Sequence, residues 1–237
     1  MTKSSTEVSL PSGVSLQRVA QVLLDAWEVG SHQWKDSPLQ LKERPGESPP
    51  APLPHDALDL FRMLSDARVP YLLVGGVAML TYVVGRNTKD VDLLMSVSAM
   101  EQVPELNILS RQDFFVRSRF RSVQVDLLLT SNPLFKSVAE RFATKHRFAE
   151  LEVPVATVEG LIVLKLYALP SLYRQLDWDR VYVYESDVKQ LLARYNPATE
   201  PLLAVLEPHF LASDLRELRK FIKEEEERRR RARLEGG

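Results

Sequence analysis

Two aspartates two residues apart, Asp90 and Asp92, open the apolar run DVDLLM, and a third, Asp126, sits inside VQVDLLL. In a strand, residues two apart project to the same side. Asp90 and Asp92 would therefore stand side by side, with Val91, Leu93 and Leu94 as the apolar neighbours of a strand within a sheet. Adjacent carboxylates repel, and a fold keeps them most readily when a divalent cation neutralises them. Asp126 is costly in its apolar run unless it is metal-bound or paired. The plainer alternative for Asp126 is a salt bridge to one of the nearby arginines. Ahead of these residues, Gly75-Gly76 separates the apolar YLLV from a short apolar segment. Bare backbone N–H groups at such a junction can face an anion, although a glycine pair alone marks only a turn.

Other charged residues sit in telling places. Lys165 lies in VEGLIVLKLYAL, an otherwise almost wholly apolar helix. A cation there demands a partner, or must snorkel its long side chain to the surface. Arg86 and Thr88 lie just before the carboxylate strand. Arg86 could donate in pairs to a phosphate, or could orient Asp90 or Asp92. Thr88 could serve the same ligand or merely lead the strand in. From Arg111 to Arg147 there are eight Lys or Arg against three acids, a local excess that would steer a polyanion toward Asp126. A merely solvated hairpin would carry the same charges. In the tail EEEERRRRAR, glutamates precede arginines by four residues in the favourable order. That pattern suits a self-neutralised exposed helix better than a nucleic-acid patch.

The elements that must position these residues follow from pattern. The chain has 237 residues, enough for one domain with extensions or two small ones. Its formal charge of −1 removes a global basic excess as an argument for nucleic-acid binding. With no cysteine, disulfides, thiolate catalysis and zinc–cysteine or iron–sulfur centres are excluded. No apolar run approaches the roughly 20 residues of a membrane span, and MTKSSTEVSLPSG lacks a signal pattern. The reading is a cytoplasmic protein with no membrane partner.

Residues 14–29 carry apolar residues at helical spacing, and six of the fifteen prolines fall between Pro38 and Pro54. This predicts a helix and an extended tether. Regular alternation starts at Asp56. The pattern predicts helices over 57–67, 77–84, 158–169, 185–194 and from Ser213 to near the end. It predicts strands at 69–74 and 90–95, a hairpin from FFVRS and VQVDLLLT, and a strand over 151–155. Ser98-x-x-Glu101 reads as a capping box, and Asn132-Pro133 as an N-cap with proline in the first helical turn, the helix running through Phe142. The division expected is an extension over 1–55, an α/β core over 56–156 and a helical C-terminal domain over 157–237.

The run LVGGVAMLTYVVGRNTKDVDLLMS resembles the first motif of the DNA polymerase beta-like nucleotidyltransferases, and VQVDLLLT resembles the strand carrying their third carboxylate. Thirteen residues between Gly76 and Asp90, and thirty-three between Asp92 and Asp126, fit that family. The GRNTKDVD form is most similar to the group around the abortive-infection AbiE toxin and related toxin–antitoxin enzymes. The resemblance spans roughly residues 56–195.

It implies a small mixed sheet with flanking helices and a helical C-terminal domain that closes over the nucleotide. It also implies two Mg²⁺ ions, with Mn²⁺ as an alternative, held by Asp90, Asp92 and Asp126. One ion would activate the attacking hydroxyl and the other would neutralise the leaving pyrophosphate. Asp126 would also take up the nucleophile's proton, while Gly75, Gly76, Arg86, Thr88 and Lys165 would bind the NTP. An Arg-x-x-Asp-x-x-Asp pattern follows the lysine helix in related toxins. Here Arg174 and Asp177 fit its first part, while Asp187 comes after an apparent insertion, DWDRVYVYES, so that Arg180 and Asp187 are the other candidate pair. The function implied is transfer of a nucleoside monophosphate to a hydroxyl, with RNA such as a tRNA end as acceptor, in a toxin-like role beside a cognate partner protein. The alternatives are nucleotidylation of a partner toxin, transfer to a small molecule, and a catalytically inactive scaffold.

Overall fold

Apolar residues at helical spacing bury one face of the first described helix, α1 (Pro54–Asp66), where Leu60 and Leu64 are fully enclosed. The computed structural model describes residues 54–83, 88, 90–148 and 151–235. The helix expected over 14–29, the proline-rich stretch ahead of residue 54, and Arg86 lie outside the described residues. After α1 come β1 (Leu72–Val74), α2 (Gly75–Met79), β2 (Asp90–Met95) and α3 (Val97–Met100). Three further strands follow: β3 (Asn107–Gln112), β4 (Phe115–Phe120) and β5 (Val123–Leu129). Helix α4 (Pro133–Arg141) leads to β6 (Ala143–Phe148) and β7 (Leu151–Ala156). The remainder is helical: α5 (Val158–Gln175), α6 (Trp178–Tyr195), α7 (Thr199–Leu206), a short 3₁₀ turn, and α8 (Ala212–Glu235).

The strands form one seven-stranded mixed sheet in the order β3-β4-β5-β2-β1-β7-β6. β2 runs parallel to β5 and β1 parallel to β7, while the other neighbours are antiparallel. This is the mixed α/β architecture with a helical C-terminal part that the sequence implied. Along β2 and β5, Val91, Leu93, Val125 and Leu127 are buried on one face. The alternate residues Asp90, Asp92, Gln124 and Asp126 are only partly buried on the other. Period-two alternation thus separates an apolar core face from a polar one. Asn132 caps α4 as expected, its Oδ1 accepting from the N–H groups of Leu134 and Phe135 at 2.9 and 3.3 Å. Its amide also donates to the Tyr167 hydroxyl at 3.1 Å, tying α4 to α5.

Several local expectations need correction. β3 and β6 were not predicted: all six residues of β3 are exposed, and ATKHRF carries two cations, so neither shows a strong apolar alternation. Pairing with β4 and β7 makes them strands, as tertiary context overrides propensity. β1 begins at Leu72 rather than Val69, and α2 ends at Met79 rather than Val84, passing into turn bonds as far as Val83. The cap of α3 is Ser96, whose Oγ accepts from Ala99 N–H at 3.0 Å. Ser98 lies inside this four-residue helix and Glu101 ends it, so the proposed capping box does not form. α5 extends to Gln175, and α7 was missed. DWDRVYVYES supplies the cap and first turns of α6.

The tail helix α8 is also more than an exposed, self-neutralised rod. Glu227–Arg231 makes the expected four-residue pair at 3.8 Å. Glu225, however, is buried and faces Lys189 of α6 at 3.7 Å, and Thr199 of α7 donates to Glu226 at 2.6 Å. The Arg229 guanidinium bonds the Leu192 carbonyl and, at 3.2 Å, Asn196 Oδ1. It therefore adds a second donor to a carbonyl at the end of α6 that already accepts from Asn196 N–H at 3.0 Å.

Candidate active site

The chain turns from β1 into α2 at Gly75, whose φ of +66° lies in the left-handed region that glycine enters without steric cost. β1 and β2 pair so that Val74 lies opposite Asp92, and Gly76 N–H donates to Asp92 Oδ2 at 3.3 Å. A Cβ on Gly75 would stand 1.9 Å from that same oxygen, and one on Gly76 would stand 2.3 Å from Thr88 Oγ1. The glycine pair is therefore the space into which Asp92 and Thr88 fit. Thr88 itself donates to the Asp90 carbonyl at 3.3 Å, fixing the chain where the carboxylate strand begins.

In the parallel β2–β5 pair, Asp92 lies opposite Asp126 and Asp90 opposite Gln124. Register partners share a face, so the three aspartates converge on the polar side of the sheet. Their proximity shows in Asp92, whose pKa rises from 3.8 to about 7. Desolvation is the largest cause, followed by the negative charges of Asp90 and Asp126. The Gly76 N–H and the positive charge of Lys165 oppose the rise.

β4 extends the same face, because Arg117 lies opposite Asp126 in the antiparallel β4–β5 pair. Arg117 Nε approaches Asp126 Oδ1 at 3.2 Å and its Nη2 approaches Oδ2 at 3.3 Å, a two-pronged contact. The Gln124 amide donates to both oxygens as well, at 3.2 and 3.3 Å. The alternative weighed for Asp126, an arginine salt bridge, is thus realised, though in an interior strand rather than at an edge. Among the described residues, no three His, Asp or Glu side chains are gathered into a ready metal-holding group. Asp126 is engaged by Arg117 and Gln124 instead.

Lys165 lies in α5, and its side chain is 5% exposed. Its amine meets Asp187 Oδ2 of α6 at 2.6 Å and stands 4.5 Å from the centre of the Tyr184 ring. The snorkelling alternative is overturned: the α5–α6 packing encloses the charge, and a carboxylate compensates it. Among the later candidates, only Asp187 reaches Lys165. Arg174 pairs with Asp214 at 3.0 Å, while Asp177 caps α6 through Arg180 N–H at 3.3 Å and faces the Arg180 guanidinium at 3.6 Å.

Sequence reasoning counted Arg117 only as one charge in a basic stretch. The signal that could have found it is the hairpin itself, since pairing FVRSRF against VQVDLLL about the Arg121-Ser122 turn sets position 117 opposite 126. Tyr184 had no such signal.

No family model and no curated protein matches the chain. Among solved structures, it is similar to an antigenic nucleotidyltransferase-like protein from Paracoccidioides brasiliensis, at 14% identity and a TM-score of 0.45, over 68% of this chain and 91% of that one. It is also similar to ANT(2")-Ia solved with adenylyl-2"-tobramycin, at 12% identity and a TM-score of 0.48, over 64% of this chain and 94% of that one. A third is a putative nucleotidyltransferase from Thermotoga maritima, at 13% identity and a TM-score of 0.38, over 52% and 92% of the two chains.

Proposed function

We propose that this chain is a metal-dependent nucleotidyltransferase that moves a nucleoside monophosphate from an NTP to a hydroxyl of RNA, in a toxin-like role. The observation that carries the reading is the in-register meeting of Asp92 and Asp126 beside the Gly75-Gly76 corner. Three carboxylates on one face form an oxygen-only donor set, in which the charges of Asp90 and Asp126 help raise Asp92 to about 7 even with Arg117 on Asp126. That chemistry fits a hard divalent cation such as Mg²⁺ or Mn²⁺. Asp90, Asp92 and Asp126 would hold it. When bound, such ions would activate the hydroxyl and neutralise the leaving pyrophosphate.

The chain's own residues supply the rest. Gly75 and Gly76 would offer backbone N–H groups to the phosphates, and their missing side chains make room for Asp92 and Thr88 beside them. Lys165, whose charge already acts on Asp92, would donate to a phosphate oxygen while keeping Asp187 as its partner. The acceptor oxygen attacks the α-phosphorus, the bond from that phosphorus to the bridging oxygen breaks, and pyrophosphate leaves. Asp126 would take the acceptor's proton. Arg117 and the exposed Arg119 lie on the same sheet face and favour a polyanionic acceptor.

The test is incubation with each labelled NTP, Mg²⁺ and total RNA or cell lysate. Label in the RNA fraction, lost in Asp92→Asn, is the expected result. Label on a protein would move the reading to nucleotidylation of a partner. No labelled acceptor in any fraction would refute transferase activity.

A further inference from the structure

Arg117 presents a difficulty to the reading just given, and the inference drawn here rests on that reading. Arg117 and Gln124 each donate to both Asp126 oxygens, so the carboxylate's four acceptor sites are taken. One donor must leave before Asp126 can hold a cation or accept a proton. Yet both prongs of Arg117 are placed on its oxygens, at 3.2 and 3.3 Å, by strand register. A cation already fills the position opposite Asp126. Arg117 is not locked there, because its side chain is 47% exposed and can swing outward to solvent. Arg119, two residues along β4 and on the same face, is exposed beside it.

We propose that Arg117 is a positioning residue that senses the acceptor: it caps Asp126 until a phosphodiester of a single-stranded RNA end draws its guanidinium away. A phosphate offers the same two-oxygen face as a carboxylate, so the guanidinium exchanges one bidentate partner for another with little net loss of bonding. The exchange would open a lone pair on each Asp126 oxygen to join Asp90 and Asp92, with the Gln124 amide still in place. The capped state would disfavour premature metal assembly, and with it loss of NTP to water when no acceptor is present. Arg119 would hold the next phosphate without touching the capping contact.

The proposal is tested by Mn²⁺ binding to the full chain without nucleotide, read by electron paramagnetic resonance. The titration is run with and without a short oligoribonucleotide ending in a 3′-deoxy residue. Wild type should bind Mn²⁺ weakly alone and on the order of tenfold more tightly with the oligonucleotide, as expected when a charge-assisted pair is released. Arg117→Gln should show the tighter binding without the oligonucleotide and gain little from adding it. Arg117→Lys, which keeps the charge but cannot engage both oxygens, should also bind more tightly than wild type, and carries the test if the glutamine variant does not fold.

Arg119→Gln removes the same charge from the same face and should shift Mn²⁺ affinity far less. Equal tightening in the Arg117 and Arg119 glutamine variants would reduce the effect to net charge and overturn the proposal. So would unchanged affinity in Arg117→Gln, or no response of wild type to the oligonucleotide. Asp92→Asn separates the two levels. If it loses Mn²⁺ while Arg117→Gln matches wild type, the capping proposal alone fails. If it binds Mn²⁺ as wild type does, the carboxylate site itself is wrong.

Discussion

Asp92→Asn should stabilise the metal-free protein by an amount that grows as pH rises from about 4 to about 7 and is largest above that. The carboxyl titrates near 3.8 in an unfolded chain and near 7 in the folded one, chiefly because folding desolvates it and secondarily because Asp90 and Asp126 are close. Between those values the folded state binds the proton that the unfolded state has released. Stability from this residue is therefore complete below about pH 4 and is lost as pH rises through about 7. At roughly 1.4 kcal/mol per tenfold change in proton affinity, the interval from 3.8 to 7 corresponds to about 4 kcal/mol of destabilisation at pH 8. Part of the side chain reaches solvent, so screening brings the expected figure to about 2–3 kcal/mol. Asparagine retains an oxygen for the Gly76 N–H at 3.3 Å and carries no charge at any pH. Urea unfolding in EDTA, at pH 5 and pH 8, measures the difference between variant and wild type. A gain of about 2 kcal/mol or more at pH 8 that falls to roughly a third of its value at pH 5 is expected. A variant no more stable than wild type at pH 8, or a gain equal at both pH values, would refute the argument. Adding Mg²⁺ should shrink the gain, because wild type then acquires the charge it lacks.

Lys165→Ala should cost about 3–5 kcal/mol, because Asp187 is left charged in a dry site, whereas the double change Lys165→Met with Asp187→Leu should recover most of that loss. Chemical denaturation of the two variants checks it; equal losses in both would remove the buried pair from the account. Gly75→Ala places a Cβ 1.9 Å from Asp92 Oδ2 at a positive φ. It should lose about 2 kcal/mol or more in melting experiments and displace Asp92, the left-handed backbone alone costing about 1–2 kcal/mol. Arg229→Ala removes the guanidinium from the end of α6 and should cost about 1–3 kcal/mol in the same assay, with no change if α8 is an independent exposed rod.

How legible the site was depended on whether one strand pattern carried the information. Asp90 and Asp92 could be placed on one face from sequence because period two decides it. That Asp126 meets them required β5 to lie parallel to β2 with 126 opposite 92, which spacing suggests but cannot fix. The Asn132 cap was readable because its chemistry is local. Ser98-x-x-Glu101 misled for the same reason: the motif was present, but Ser96 made the bond that mattered. β3 was invisible because an exposed edge strand needs no apolar alternation. The start of α6 was missed because Trp178 and Tyr182 stand exposed, 49% and 68%, where a helix pattern expects polar residues. Lys165 announced that it needed a partner, but that the partner is Asp187 depends on how α5 and α6 pack, which no local pattern encodes.

Stability does not account for the two charge clusters. A buried Lys–Asp pair is on average no more stabilising than apolar residues of the same volume, and the like charges around Asp92 oppose folding above neutral pH. Nor can the clusters simply cancel one another. Strand register fixes the carboxylates, α5 carries Lys165, and α6 supplies the anion it meets. Lys165 still acts on Asp92 through space, lowering the pKa that burial raises, so the clusters lie within each other's field. A ligand carrying cations for the first cluster and anionic oxygens for the second would relieve both at once. A metal-bound triphosphate has that composition; neither the cation nor the nucleotide alone does. The proposed chemistry therefore requires the two to bind with positive coupling, since each removes the charge that opposes the other.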